Sequence, residues 1–242
     1  VRTAGVTSDD IALEIGPGLG SLTLAMLEVA KSVIAVEIDP RLAQQLPLTV
    51  ATHFEHPENL TVINKDALAV HELPVAPTVL VANLPYNVSV PVLLHLLEKF
   101  PTLRTGVVMV QAEVADRLAA KPGGKEYGIP SVKAAWWADV KNVGTVSRSI
   151  FWPAPNVDSK LVGFTRRATA GSEESRAKVF TIIDAAFAQR RKMLRSALSG
   201  LYGSSSAAEA ILIKAGIDPT LRGEALQVES FCKIAAVAPD IF

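Results

Sequence analysis

The stretch Asn83-Leu84-Pro85-Tyr86 combines residue types that could recognise a flat group bearing an amine. It follows residues 78–82, a short apolar run rich in β-branched residues that predicts a buried strand. Because Pro85 disfavours the helical region for Leu84, the carbonyl before it points in one direction. That carbonyl and the Asn83 amide oxygen can accept hydrogen bonds, and Tyr86 adds an aromatic face. These features suit a nucleobase edge; the alternative is a plain turn with Tyr86 in the core.

A glycine-rich turn near the start of the chain adds a second kind of chemistry. It lies between an apolar run at residues 11–15 and a segment with helical spacing at residues 21–27, and its glycines are Gly16, Gly18 and Gly20. Such turns are typical of phosphate and nucleotide sites, because glycine lets a ligand approach the backbone. The spacing G-x-G-x-G differs from the G-x-G-x-x-G of dinucleotide binders. Glu14, inside the strand, could accept from amides of the turn or reach a ligand's amino group through water. The alternative is a tight turn with Glu14 as a buried cap.

Acidic residues end the next predicted strand, at residues 33–39, about 20 residues after the glycines. A carboxylate at that point holds the ribose diol in many βαβ nucleotide sites. Glu37 is the better candidate, because Asp39 and Pro40 have the pattern of an N-cap and the first helical residue. Ile38 could lie against an adenine ring.

Asp66 and Ala67 follow the third predicted strand, at residues 60–64. The Asp66 carboxylate could accept a hydrogen bond from the amino group of the same adenine, and the alternative is an Asp in a surface turn. The glycine turn and the acids after it agree on a cofactor that contains adenosine.

The order of elements predicts a doubly wound, Rossmann-like α/β domain over residues 1–167. Besides the strands named above, residues 105–111 predict a fifth strand. Residues 132–139 predict a helix and residues 141–146 a strand. A last strand over residues 160–164 would pair beside that neighbour and close the sheet. Residues 168–242 predict a small all-α domain.

Composition limits the functional classes that remain. The chain has 242 residues, of which 49% are hydrophobic, so it can bury a sizeable core. No apolar run approaches the ~20 residues of a membrane span, and the start of the chain lacks the apolar core of a signal peptide. The single cysteine, Cys232, excludes an internal disulfide and a multi-cysteine metal site. We expect a soluble cytoplasmic protein without a metal.

The charges are unevenly distributed although their sum is zero. Residues 166–242 hold 11 basic and 8 acidic side chains, a surplus of three positive charges. Within them lies a cluster of cations, which are Arg190, Arg191, Lys192 and Arg195. Such a cluster could bind RNA phosphates, and the alternative is a solvated helix face.

The glycine turn, the acids and the Asn-Leu-Pro-Tyr stretch, in that order, resemble an S-adenosylmethionine-dependent amino-methyltransferase. Three longer motifs narrow the resemblance: Asn-Leu-Pro-Tyr-Asn-Val-Ser at residues 83–89, Phe-Trp-Pro-Ala-Pro-Asn-Val-Asp-Ser at 151–159, and Phe-Ala-Gln-Arg-Arg-Lys-Met-Leu-Arg at 187–195. Together they resemble the KsgA/RsmA family of ribosomal RNA adenine dimethyltransferases, over nearly the whole chain.

The resemblance implies a fold, a reaction and a set of partners. S-adenosylmethionine would be the cofactor, and the products would be two adjacent dimethylated adenosines near the 3′ end of small-subunit rRNA. Asn83 and the Leu84 carbonyl would accept from the target amine, while Tyr86 and Phe151 would stack on opposite faces of the flipped base. The partner would be small-subunit rRNA within an assembling ribosomal subunit, contacted by a monomer through the cation cluster.

One feature departs from the family pattern. Members carry a segment with a Gln-Asn-Phe-like motif ahead of the first strand, whereas this chain begins at Val1, ten residues before it. We therefore expect an N-terminally shortened member. Three other functions stay open: a large-subunit rRNA methyltransferase of the antibiotic-resistance type, a catalytically impaired ribosome-assembly factor, and an NAD-dependent oxidoreductase.

Overall fold

The computed structural model describes residues 1–151 and 156–240. They form two compact units. The first contains residues 1–116 and 140–166, and the second contains residues 117–139 together with the chain from residue 167 onward. Buried apolar side chains occur in both units, so each has a hydrophobic core of its own.

Within the described residues, the first unit is built on a seven-stranded sheet. The strands in chain order are β1 (Ile11–Ile15), β2 (Ser32–Glu37), β3 (Leu60–Asn64), β4 (Val79–Asn83), β5 (Thr105–Gln111), β6 (Ala138–Val146) and β7 (Ser159–Arg166). Their order across the sheet is β3-β2-β1-β4-β5-β7-β6. The limits predicted for β1, β3 and β5 are confirmed, and those of β2 and β4 differ by one or two residues.

Strands β1 to β5 are parallel to their neighbours, whereas β7 is antiparallel to β5. The strand order reverses between β1 and β4, and ligands of open α/β sheets bind at such a reversal, outside the carboxyl ends of the strands. This topology confirms the predicted doubly wound, Rossmann-like fold. One detail differs: β7 pairs beside β6 as expected, but β6 is the edge strand, because β7 also pairs with β5.

Helices cross between the parallel strands, as parallel pairing requires. They are α1 (Ser21–Leu27), α2 (Pro40–His53) and α3 (Ser89–Lys99); a further helix, α4 (Ala112–Ala119), follows β5. The Asp39 side chain accepts from the Arg41 amide at 2.8 Å, and Pro40 opens α2, which confirms the predicted N-cap. Leu46 and Val50 of this helix are fully buried in the core of the sheet.

The second unit is helical in its described part. Its helices are α5 (Ile129–Ala134), α6 (Glu173–Ala188), α7 (Leu194–Ala197), α8 (Ser199–Tyr202), α9 (Ser205–Lys214) and α10 (Val228–Val237). Along α6, Val179, Ile182, Ile183 and Ala186 are fully buried, at the three- and four-residue spacing of one helix face.

Two tryptophans link residues 117–139 to the helices of the second unit. The ring centroids of Trp136 and Trp137 lie 5.8 and 5.6 Å from that of Phe180 on α6. The rings therefore tie residues 117–139 to the helices, although the sequence placed that segment in the first domain. The predicted helix over residues 132–139 is wrong in its second half, because α5 ends at Ala134 and β6 begins at Ala138.

Within residues 1–151 and 156–240, no helix is both long enough and apolar enough to cross a membrane.

Candidate active site

The glycine turn lies at the carboxyl end of β1, where the strand order reverses. Gly16, Gly18 and Gly20 have φ values of 68°, 58° and 95°. At Gly20, an added Cβ would come 2.6 Å from Leu46 Cδ1 of the buried core, so this position requires glycine for space as well as for backbone conformation. The Gly16 amide donates to the Val36 carbonyl at 2.9 Å, which holds the turn against β2.

Glu14 is a buried carboxyl group beside this turn. It is 1% exposed, and its Oε2 accepts from Thr23 Oγ1 of α1 at 2.5 Å. Burial is the main cause that raises the pKa of Glu14 to about 7; the Thr23 hydrogen bond opposes the rise, and the nearby Glu37 contributes to it. The carboxyl group therefore titrates near neutral pH. The sequence allowed Glu14 to accept from amides of the turn, but the Gly18 amide donates to Glu37 instead.

Glu37 ends β2 with its carboxylate held by two backbone amides. Its Oε2 accepts from Gly18 at 3.3 Å and its Oε1 from Asp39 at 3.0 Å. The side chain is 5% exposed. Each carboxylate oxygen has a second lone pair for a further donor, so this geometry leaves Glu37 able to accept from a hydroxyl group.

Asn64, at the end of β3, holds the turn that carries Ile38. Its amide nitrogen donates to the carbonyls of Glu37 at 2.8 Å and of Ile38 at 3.2 Å. Ile38 is 66% exposed, so its apolar side chain is accessible at this edge of the sheet. The sequence gave no sign of this role for Asn64, because an Asn at a strand end is common.

Asp66 and Ala67 start a short 3₁₀ turn after β3. Asp66 Oδ1 accepts from the Leu68 amide at 2.9 Å, so the side chain caps that turn. Ala67 is buried and Asp66 is exposed. The cap uses one carboxylate oxygen, which leaves Asp66 Oδ2 for a ligand.

A cavity of about 120 Å³ brings several of these residues together. It is lined by Ile15, Gly16, Val36, Glu37, Ile38, Lys65, Asp66, Ala67, Pro85, Val88 and Val92. Five of the residues predicted to hold a cofactor are among them, namely Gly16, Glu37, Ile38, Asp66 and Ala67. Val88 and Val92 were missed, although their spacing of four at the start of α3 places them on one helix face.

The turn after β4 carries the residues predicted to hold a target amine. Leu84 is 1% exposed, and its amide donates to the Met109 carbonyl at 3.1 Å. This anchor lets the side chains on either side, Asn83 and Pro85, remain exposed. The turn therefore presents its polar and rigid residues outward while one leucine holds it to the core.

Tyr86 is half-buried, and its hydroxyl oxygen lies 2.9 Å from Ser159 Oγ, the first residue of β7. Phe151 is also half-buried. The predicted placement of the Tyr86 and Phe151 rings on opposite faces of a base stays a prediction. Residues 152–155 of the same motif lie outside the described residues.

The predicted RNA-binding cations are in two different states. Arg190 Nε donates to Glu224 at 2.7 Å, and its Nη2 donates to the carbonyl of Lys125 at 2.5 Å. Arg195 faces Glu209 at 3.3 Å. By contrast, Arg191 and Lys192 are exposed, and within residues 1–151 and 156–240 their side chains have no hydrogen-bond or ion-pair partner. Two of these four cations are thus already neutralised.

A known protein family matches nearly the whole chain. The sequence model of the family described as "Ribosomal RNA adenine dimethylase" matches residues 1–240. This chain belongs to that family. The resemblance seen in the motifs is confirmed, and the NAD-dependent oxidoreductase alternative is set aside. A methyltransferase family implies the general use of S-adenosylmethionine as methyl donor, and an rRNA methyltransferase has rRNA as its substrate.

Over the matched region, curated relatives are more than half identical to this chain. A protein of Streptomyces griseus named ribosomal RNA small subunit methyltransferase A is 59% identical, over 100% of this chain and 84% of its own length. A protein of the same name from Leifsonia xyli is 60% identical, over 98% of this chain and 85% of its own length.

Solved structures of rRNA methyltransferases have the same fold. A dimethyladenosine transferase from Plasmodium falciparum has a TM-score of 0.79 at 26% identity, covering 96% of this chain and 91% of that one. The 23S rRNA methyltransferase ErmE has a TM-score of 0.69 at 26% identity, covering 97% of this chain and 93% of that one.

Proposed function

We propose that this protein uses S-adenosylmethionine to dimethylate the 6-amino groups of two adjacent adenosines near the 3′ end of small-subunit rRNA. It acts in the cytoplasm as a monomer on an assembling ribosomal subunit. One observation carries the proposal: Pro85 of the predicted target turn lines the same cavity as Glu37 and Asp66. The carboxylates suited to a nucleoside cofactor therefore lie next to the turn suited to a target amine, at the same cavity.

The residues around the cavity fit S-adenosylmethionine. At about 120 Å³ the cavity is smaller than the roughly 300 Å³ of a typical ligand site, so it suits one end of the cofactor, the adenine ring. Glu37 would accept from the ribose hydroxyls, Asp66 from the adenine amine, and Ile38 would lie against the ring. The rest of the cofactor would follow the glycine turn, where Gly16 is exposed and has no side chain to obstruct it.

When bound, S-adenosylmethionine supplies a methyl group on a sulfonium sulfur, so that the C–S bond breaks as an N–C bond forms and the surplus N6 proton passes to water. The protein's own task is alignment, because the lone pair of an aromatic amine is delocalised into its ring. Asn83 Oδ1 and the Leu84 carbonyl would draw the two N–H bonds and aim the lone pair. Catalysis would come from positioning and electrostatics rather than from a strong base.

The choice of ribosomal subunit rests on the relatives. Proteins named for the small subunit are 59% and 60% identical to this chain, whereas the large-subunit enzyme ErmE is 26% identical. The fold is shared by both groups and does not discriminate between them. Identity at this level therefore favours the small subunit as substrate.

The first test measures methyl transfer from labelled S-adenosylmethionine to unmethylated small subunits, with large subunits and naked small-subunit rRNA in parallel. We expect transfer to the small subunit and dimethyladenosine as the product. Asn83→Ala should reduce the rate by about 10²- to 10³-fold, the usual loss when one preorganised group is removed. Thermal unfolding should change little, because Asn83 is exposed.

The matched control is Asn87→Ala, an exposed residue of the same type four positions further along. It should retain transfer within about twofold, as surface substitutions usually do. Transfer to large subunits alone would favour the antibiotic-resistance type of enzyme. Cofactor binding without transfer to any substrate would favour the assembly factor and refute the proposed activity.

RNA binding is tested separately through Arg191 and Lys192, the cations that have no partner among the described residues. Replacing both by Gln should weaken binding to small subunits and lower the slope of log K against log salt by about 1.4 to 1.8, since each phosphate contact adds roughly 0.7 to 0.9. The control replaces Lys214 and Lys233 by Gln, two exposed cations elsewhere in the same unit. Equal slopes in the two double variants would mean that the cation cluster does not contact RNA.

A further inference from the structure

A hydrogen bond joins the predicted target turn to the last strand of the sheet. The hydroxyl oxygen of Tyr86 lies 2.9 Å from Ser159 Oγ, 73 residues further along the chain. Ser159 is 1% exposed and pairs with Gln111 at the carboxyl end of β5. The tip of the tyrosine ring is therefore tied to the end of the β5–β7 pair that lies at the carboxyl end of β5.

Other contacts fix the backbone of the turn but not the ring. The Leu84 amide donates to the Met109 carbonyl at 3.1 Å, and Ser89 Oγ donates to the Tyr86 carbonyl at 3.3 Å. Rotation of a tyrosine ring about χ2 has broad energy minima, so rotamer preference alone does not define its plane. The phenol oxygen lies on the χ2 axis, so a bond to it fixes where the ring points; because the O–H bond and the acceptor lone pair of a phenol lie near the ring plane, the direction of the partner also favours one plane.

We infer that Ser159 is a positioning residue for the target base, because it holds the Tyr86 hydroxyl and so sets the plane on which the flipped adenine stacks. This inference rests on the proposed function. The plane must agree with the directions of the acceptors at Asn83 and Leu84, and such groups work when they are held within about 0.5 Å and 10–20°. Since Ser159 is buried, it acts through Tyr86 and not by touching the base.

The bond matters most for the second methyl transfer. An unmodified adenine has two N–H bonds on N6, one for each acceptor of the turn, whereas a monomethylated adenine has one. The second substrate is therefore held by one hydrogen bond fewer, and stacking on Tyr86 supplies a larger share of the alignment. Loss of the Ser159 bond should slow the second transfer more than the first, and monomethyladenosine should accumulate.

The test compares the wild-type chain with Ser159→Ala, Tyr86→Phe and the double variant. Unmethylated small subunits are mixed with excess protein and S-adenosylmethionine, and monomethyl- and dimethyladenosine are counted over time by mass spectrometry of nucleosides. Each single variant should slow the second transfer about five- to tenfold, the effect of one hydrogen bond, and the first by about twofold or less. The affinity for the cofactor should not change.

The double variant separates this role from general damage. Because both substitutions remove the same bond, the double variant should be no slower than either single one. The matched control is Thr105→Val at the opposite end of the same strand pair, where Thr105 Oγ1 donates to the Phe164 carbonyl at 3.0 Å. It should lower the unfolding temperature and leave the ratio of monomethyl to dimethyl product unchanged.

Each outcome decides the inference. Monomethyl product in both single variants, and not in the control, supports it. A wild-type product ratio in Tyr86→Phe overturns it even where Ser159→Ala does not fold, since Tyr86→Phe leaves β7 intact. Additive slowing in the double variant also overturns it. A wild-type protein that transfers no methyl group at all overturns the proposed function instead.

Discussion

Two buried carboxyl groups lie at opposite ends of β1, and their surroundings differ. Asp10, just before the strand, accepts from the Thr7 amide and hydroxyl, from the Thr78 hydroxyl and from Arg104 Nη2, at 2.5 to 2.9 Å. Glu14, in the strand beside the glycine turn, accepts from the Thr23 hydroxyl. Each carboxyl side chain belongs to a residue that is 1% exposed.

The pKa values of the two carboxyl groups are shifted in opposite directions. Burial acts to raise the pKa of Asp10, but the hydrogen bonds from Thr78, Thr7 and Arg104 outweigh it and lower the pKa to about 2. At Glu14 burial prevails and raises the pKa to about 7. A carboxylate surrounded by donors stabilises the fold, whereas one with few donors keeps its capacity for a ligand. The hydrogen bonds at the amino end of the strand thus support the fold, whereas the carboxyl end carries the residues that we propose to bind the cofactor.

Of the substitutions that test the difference between the two ends of β1, Asp10→Asn should have the largest effect on stability. It should lower the free energy of unfolding at pH 7 by about 4 kcal/mol, because the buried Asp10 carboxylate accepts from Thr7, Thr78 and Arg104, and each hydrogen bond to a charged group contributes about 1.5 to 3 kcal/mol. Urea unfolding measures the loss. The lowered pKa of Asp10 means that this stabilisation is present above about pH 4 and disappears as the pH falls toward 2.

Asp9, the exposed neighbour, provides the control. Asp9→Asn should change the free energy of unfolding by less than about 0.5 kcal/mol. An Asp10→Asn protein that is as stable as Asp9→Asn at pH 7 would show that the hydrogen bonds at the amino end of β1 do not support the fold.

A smaller effect of opposite sign is expected at Glu14. Its folded pKa of about 7 lies above the unfolded value of 4.5, so the folded state binds the proton more tightly and the wild-type chain loses stability as the pH rises from about 4.5 to about 7. Glu14→Gln does not titrate. Its stability relative to wild type should therefore improve over that range by about 2 to 3 kcal/mol.

Denaturation at several pH values tests this, with Glu28→Gln as control, because Glu28 is an exposed residue of the same type. Glu28→Gln should change the free energy of unfolding by less than about 0.5 kcal/mol, as surface substitutions usually do. A flat profile for Glu14→Gln would mean that Glu14 is ionised throughout, and the contrast between the two ends of the strand would be lost.

The smallest effect is expected from Thr23→Val, which removes the hydroxyl donor and keeps the shape. Because the Thr23 hydrogen bond lowers the pKa of Glu14, its loss should move the titration of Glu14 to higher pH. The loss of stability at pH 8 should be about 1 kcal/mol, the net contribution of one hydrogen bond. Carbon-13 NMR of the Glu14 carboxyl group measures the shift, and an unchanged midpoint would contradict the assigned contact.

The sequence predicted the architecture better than the site. Strand limits such as 105–111 followed from apolar runs, and the acids at Glu37 and Asp66 followed from their places after strands. The partners that orient these groups could not be predicted. Ser159 reaches Tyr86 and Asn64 reaches the Glu37 carbonyl only after the sheet has formed, and a lone Ser or Asn carries no signal of its tertiary partner.

The cation cluster shows a second limit. Its four members look alike in the sequence, yet Arg190 binds Glu224 and the Lys125 carbonyl, whereas Arg191 and Lys192 extend into solvent. Charge counting cannot separate cations that hold the protein together from cations available to RNA. That separation depends on which acceptors the fold brings within reach.

Because β7 is the last strand in the chain, it leaves the ribosome after all the other strands. The strands whose ends form the predicted cofactor site have all left the ribosome when Asn83 emerges. Ser159 lies 76 residues further along the chain and emerges later. At translation rates of about 5–20 residues per second, this interval lasts roughly 4 to 15 s. The strands of the predicted cofactor site should therefore be available in a nascent chain well before the hydrogen bond between Tyr86 and Ser159 can form.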